Sequence, residues 1–181
     1  MDIKKLLEFR KQKDWHWKND DESPLTAEQK KKFKELAYYP PNPKLRFELS
    51  LDKNIPNVGT KVIVKTTGED EQIYLKAGKI HFEVEGKRVE AVVLEDPQLE
   101  QYQYYLLFKD ATTDVATYEN GRMLPIEKKD PSTSSRQSKL IVDFNYAYNP
   151  YSAYNDNWDC PITPQENILS VEIKAGEKKF Q

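Results

Sequence analysis

From Leu45 onward the apolar residues fall at every second position, and this rhythm persists through most of the chain. The segments LRFELSLD, TKVIVKT, EQIYLKA, KIHFEVEG, RVEAVVLED and QYYLLFKD follow one another closely, and GRMLPI, SKLIVDFN and ILSVEI continue the series. Period-two alternation rich in β-branched and aromatic residues suits strands with one face on a core. No long helical pattern separates a segment from the next, which disfavours the crossovers of a parallel βαβ architecture. In VEGKRV two strands are joined by a tight turn, so that pair is an antiparallel hairpin. The expected fold is mainly β, an antiparallel barrel or sandwich.

Two N-terminal helices precede the strands. Asp2 can cap a first helix in which Ile3, Leu6, Leu7 and Arg10 share a face, with Phe9 at its margin. Thr26 and Gln29 have capping-box spacing and open a second helix with Phe33, Leu36 and Ala37 inward. The prolines of YYPPNPK then stop it. At 181 residues the chain fits a single domain, 1–181, in which a helical segment, 1–40, packs on a β domain, 44–181. The polar stretch KKDPSTSSRQSK reads as a mobile hairpin tip, dispensable to the fold.

The 28 Lys and Arg against 30 Asp and Glu give a net charge of -2, without a basic stripe interleaved with aromatics, which argues against nucleic acid as a partner. Charges interrupt the N-terminal MDIKKLLEFRKQKDWHW every few residues, so it has neither signal-peptide nor membrane-span character; a cytoplasmic location is expected. The single Cys160 forms no internal disulfide and reads as a small buried hydrophobe.

Two histidines limit the chemistry. His81 falls on the polar face of its strand, and His16, between two tryptophans, is either a general base or a helix-end cation. Arg10, Lys13 and Asp14 read as a solvated helix face with ion pairs. Zinc-ligand spacing, a Gly-rich phosphate loop and a nucleophile elbow are all missing, so neither metal nor cofactor is expected. The alternation of Asn155, Asn157 and Asp159 resembles the start of a calcium loop, but Cys160 and Pro161 stand where Gly should follow.

The run DFNYAYNPYSAYNDNWDCP, Asp143 to Pro161, holds four Asn, four Tyr, three Asp, a Trp and the cysteine, with no Val, Ile or Leu. In LIVDFN, Asp143 shares a strand face with Ile141 and Asn145. A buried carboxylate needs a partner, for which Arg122 is the candidate because its planar fork holds a carboxylate with two bonds. The Asn and Asp side chains either satisfy an irregular loop's own peptides or line a pocket with the tyrosine rings. The candidate ligand-binding set is Asp143, Asn145, Tyr148, Asn149, Tyr154 and Asn155 from this run, with Asp110, Thr112, Tyr118 and Arg122 from DATTDVATYENGR.

Four segments, SPL at Ser23 to Leu25, FKDATTDVATYENGR, the Asp143 to Pro161 run and PQENILSVEIKAGEK, together resemble the signatures of the bacterial and archaeal family catalogued as domain of unknown function 1684. Their order and spacing match over nearly the whole chain. Ser152 departs from the pattern, which often has a cysteine before AYN; this chain therefore lacks a thiol pair at positions 152 and 160. The resemblance implies no activity. The expected function is binding of, or action on, a small polar metabolite, an anion suiting Arg122 best. Two alternatives stay open, a non-catalytic structural or interaction domain and a carbohydrate-binding module. Whether the protein is an enzyme, and its oligomeric state, are not readable from these residues.

Overall fold

A computed structural model describes residues 1–98, 104–129 and 139–181. The expected tip at KKDPSTSSRQSK falls largely outside them. The chain runs through α1 (Ile3–Asn19) and α2 (Ala27–Lys32) into β1 (Arg46–Ser50), β2 (Lys61–Lys65), β3 (Glu71–Val84), β4 (Lys87–Glu95), β5 (Tyr104–Phe108), β6 (Arg122–Lys128) and β7 (Lys139–Asp143). The strands form one antiparallel sheet in the order β1-β7-β6-β5-β4-β3-β2. The mainly β, antiparallel fold with two N-terminal helices is therefore present. Among the described residues no helix is long and apolar enough to cross a membrane.

EQIYLKA and KIHFEVEG, expected as two strands, are the single strand β3, whose register against β4 shifts between Lys76 and Gly78. The irregularity bends the strand, so the sheet curls until Asp52, just beyond β1, bridges to Lys79. A Cβ at Gly78 would lie 2.6 Å from the Asp52 carbonyl oxygen, so this approach needs a residue without one. The hairpin in VEGKRV turns on Glu85 and Gly86, both with positive φ, 50° and 79°. Two consecutive left-handed residues match the right-handed twist of the flanking strands.

Inside the curl, Leu45, Ile80, Leu106, Leu124, Val142 and Ile173 pack around the rings of Phe82, Phe108 and Phe144. Phe144 meets Phe108 edge-on with centroids 5.2 Å apart. Burying a side chain of this size contributes about 1.5–3 kcal/mol. A separate cluster of Val64, Tyr74, Val92, Leu94 and Leu107 covers the other face, so Ala91 to Leu94 of β4 are buried on both sides.

The helices bring corrections. Asp2 caps α1 and the Thr26–Gln29 capping box forms, yet Ile3 and Leu7 are exposed. The inward stripe is Leu6, Arg10, Lys13 and Trp17, spaced four, three and four residues apart, so Arg10 and Lys13 do not form the solvated face expected of them. Phe33 and Leu36 point inward as expected, but from the extended chain after α2, and Ala37 is exposed. With Trp17, Leu25 and Tyr154 they build a cluster that fastens the helical segment to the Asp143 to Pro161 run.

ILSVEI is not a strand. Val171, Ile173 and Ala175 alternate inward as a strand would, but only Ile168 makes a bridge to the sheet, through Lys109. Side chains replace the missing ladder. Arg122 donates to the carbonyl oxygens of Ile173, Ala175 and Glu177, and Asp110 accepts from the Ile173 amide at 3.3 Å. Asn167 does the same for β4, pairing with both the amide and the carbonyl of Val92 at 2.8 and 2.9 Å.

Candidate functional site

The polar run first serves its own backbone. Asp143 caps a 3₁₀ turn over Phe144–Tyr146 by accepting from the Asn145 amide, and the Asn145 side chain exchanges two bonds with the Asn42 backbone, at 2.7 and 2.9 Å. Tyr148 then pairs with Met123 across the edge of β6. Pro150 opens a second 3₁₀ turn, Tyr151–Ala153, and Asn155 accepts from the Asn157 amide in a tight loop. Asp159 closes the run by accepting from Thr66, Thr67 and the Gly68 amide, and the Thr66 bond in particular holds its carboxyl below the ordinary range. Asn155 and Asp159 thus spend side-chain oxygens on protein donors. Among the described residues no group of three or more His, Cys, Asp or Glu stands ready for a metal.

Arg122 does not pair with Asp143. Its guanidinium, 1% exposed, donates to Asp110 at 2.7 Å and to the three carbonyls of the C-terminal segment, over the ring of Phe108. Asp143 has Arg46 beside it instead, at 3.6 Å. The reason is register: Asp143 is opposite Arg46 in the β1–β7 pair, whereas Arg122 opens β6 beside Phe108, two residues before Asp110. With these partners Arg122 fastens the C-terminal segment to the sheet.

A groove of about 690 Å³ lies between α1 and the run. Phe9, Trp15, His16 and Trp17 come from the helix, and Met123, Tyr148, Pro150, Tyr151 and Cys160 from the other side. Lys13 also lines it, 8% exposed, with its ammonium 4.5 Å from the Trp17 ring centroid and 4.8 Å from that of Tyr148. Cations favour such ring faces electrostatically. Behind the rings Lys13 is paired with Glu177, which is 1% exposed. The other Glu177 oxygen accepts from the Asn149 amide at 2.9 Å and the Tyr154 hydroxyl at 2.6 Å. Burial, and then the Glu177 charge, push the Tyr154 and Tyr38 phenols well above their ordinary pKa, so both are neutral, and the Tyr154 hydroxyl is the one that donates to Glu177. Arg10 lies over the Tyr38 ring and donates to the Tyr39 carbonyl.

Of the residues expected to line one pocket, the structure brings three to this region. Tyr148 lines the groove, with Asn149 and Tyr154 behind it on Glu177. Asp110, Thr112 and Arg122 form a separate buried cluster, Thr112 donating its amide to Asp110. Asp143 and Asn145 shape the first turn, Asn155 a later loop, and Tyr118 donates to Ser152 at 3.4 Å. Lys13, Trp15, Trp17, Tyr151 and Glu177 were missed. For the helix the signal was the Leu6, Arg10, Lys13, Trp17 spacing; for Glu177, in the charged tail AGEKKF, no local signal exists. His16, considered as a base, lies in the groove with its Nδ1 3.0 Å from Asp20. Cys160 is buried in the wall, its sulfur accepting from the Ser152 amide.

The sequence profile described as Protein of unknown function (DUF1684) matches residues 31–178. No curated protein matches the chain. Among solved structures, the solution NMR structure of an uncharacterized protein from Haloarcula marismortui is similar, with a TM-score of 0.70 and 26% identity, covering 97% of this chain and 93% of that one.

Proposed function

The chain belongs to the family Protein of unknown function (DUF1684), and we propose that it is a small-molecule-binding domain whose ligand lies in the groove between α1 and the Tyr148–Tyr151 segment. The observation that carries this reading is a buried Lys13–Glu177 pair whose lysine lines an aromatic groove. A volume of about 690 Å³ suits a metabolite-sized ligand. Removing two charges from water costs several kcal/mol, so a hydrophobic pair of the same volume serves a merely structural contact at least as well. The bonds that Asp143, Asn145, Asn155 and Asp159 accept from protein donors favour a second role for the rest of the run, that of scaffold, and the two roles fall on different residues. Stacking of a sugar ring on Trp15 or Tyr151 is the carbohydrate version of the same reading.

A thermal-shift screen of metabolites tests it. A ligand at about 100 times its dissociation constant stabilises the fold by about 2.7 kcal/mol. Trp15, 65% exposed, lines the groove, so Trp15→Ala should abolish or weaken the shift while leaving unliganded melting unchanged. A ligand whose shift survives Trp15→Ala and Tyr151→Ala binds elsewhere; no shift with any metabolite favours the interaction-domain reading.

A further inference from the structure

Resting on the groove as the binding site, we propose that its ligand is an aromatic monocarboxylic acid, with a flat ring between the tryptophan and tyrosine walls and a single carboxylate directed to Lys13. The walls supply the first half of the argument. Trp15, Trp17, Tyr148 and Tyr151 present ring surface, and Met123 a polarisable thioether that adapts to a flat ring. Trp17 and Tyr151 already meet edge-on with centroids 5.7 Å apart.

Charge supplies the other half. The Lys13 ammonium has three donors and, among the described residues, one oxygen acceptor, Glu177. Arg10 also stands beside Glu177, whose single negative charge therefore faces two buried cations. Asp14, nearby on α1, accepts from the Leu36 amide, and burial raises its pKa. At the rim Asp20 is matched to His16. The Trp17 indole N–H, buried in the wall, has no acceptor among the described residues. One carboxylate oxygen on Lys13 and a second on an indole donor would satisfy both with charge-assisted bonds. A phosphate ester is less suited, because no arginine lines the groove to grip it with a fork.

Isothermal titration calorimetry of the full chain with naphthoate, naphthamide and inorganic phosphate tests the proposal. Naphthoate should bind about tenfold or more tighter than naphthamide, a gap of about 1.4 kcal/mol, and phosphate should not bind. Trp17→Phe, which keeps a ring but removes the donor, should weaken naphthoate severalfold and leave naphthamide unchanged. Lys13→Met leaves Glu177 buried and unpaired and endangers folding, so the Lys13→Met/Glu177→Gln double variant, neutral on both sides, is the companion. It should bind acid and amide equally. Equal affinities in the native chain would overturn the acid preference while leaving the groove as the site. Tighter phosphate than naphthoate would also overturn it, in favour of a plain anion site. If neither aromatic binds, the proposal fails, and the metabolite screen with Trp15→Ala decides separately whether the groove binds anything.

Discussion

Arg122 and Asp110 are held as a pair in which each also has backbone work. The guanidinium takes the carbonyls of Ile173, Ala175 and Glu177, while the carboxylate takes the amides of Thr112 and Ile173. Removing either partner leaves the other charged and out of water, so Arg122→Met and Asp110→Asn should each cost about 3–5 kcal/mol in urea unfolding. The double variant should cost less than the sum, with a coupling of about 0.5–3 kcal/mol. Asp143→Asn provides the contrast. Its partner Arg46 is 29% exposed and 3.6 Å away, and the Asn oxygen can still accept from the Asn145 amide. That change should cost below about 1 kcal/mol and be additive with Arg122→Met. Additivity of Arg122 with Asp110, or coupling of Arg122 with Asp143, would contradict the pairing described above.

At the scale of elements, the β3–β4 hairpin carries a correctable local cost. Glu85 is exposed and left-handed, φ 50°, a conformation that Asn tolerates better than Glu. Glu85→Asn should stabilise the protein by about 0.5–1 kcal/mol, seen as a higher denaturation midpoint at unchanged slope. This hairpin was readable in advance because turn chemistry and alternation agree over a few residues. Alternation also marked the other strands, although it divided β3 in two where its register shifts, and the caps of both helices were readable as well. ILSVEI was misread because alternation reports only which side chains face inward. It is silent on whether the backbone finds a neighbouring strand or, as here, a guanidinium. The inward charges of α1 were misread because Ile3 and Leu7 outweigh Arg10 and Lys13 on any scale of apolarity. Their burial depends on Glu177, 164 residues away from Lys13, and no local pattern encodes such a partner. Of the residues expected at one site, Tyr148, Asn149 and Tyr154 lie at or behind the groove, and the cation beside them is Lys13, whereas Arg122 lies in a separate buried cluster.

For the whole molecule, pH links these buried groups to stability. Tyr154 and Tyr38 keep their protons in the folded state well above the ordinary value of 10.0, chiefly through burial and then through Glu177. The unfolded chain releases them near pH 10, so between that value and the folded pKa values the native state binds more protons. The stabilisation is full below about pH 10 and is lost as pH rises beyond it. Titration with alkali should show these tyrosines ionising together with the loss of near-ultraviolet circular dichroism, whereas gradual ionisation ahead of that loss would mean that they are accessible. The separation of Lys13 from Glu177 has a further, temporal meaning. A β3–β4 hairpin closes over a two-residue turn, whereas the ion pair joins positions 164 apart in the chain, and bringing distant positions together costs loop entropy before any contact compensates it. The groove between α1 and the Tyr148–Tyr151 segment should consequently assemble late in folding, after the sheet has set the distance across which helix and tail must meet, so that a partly folded chain holds most of its strands before the groove exists.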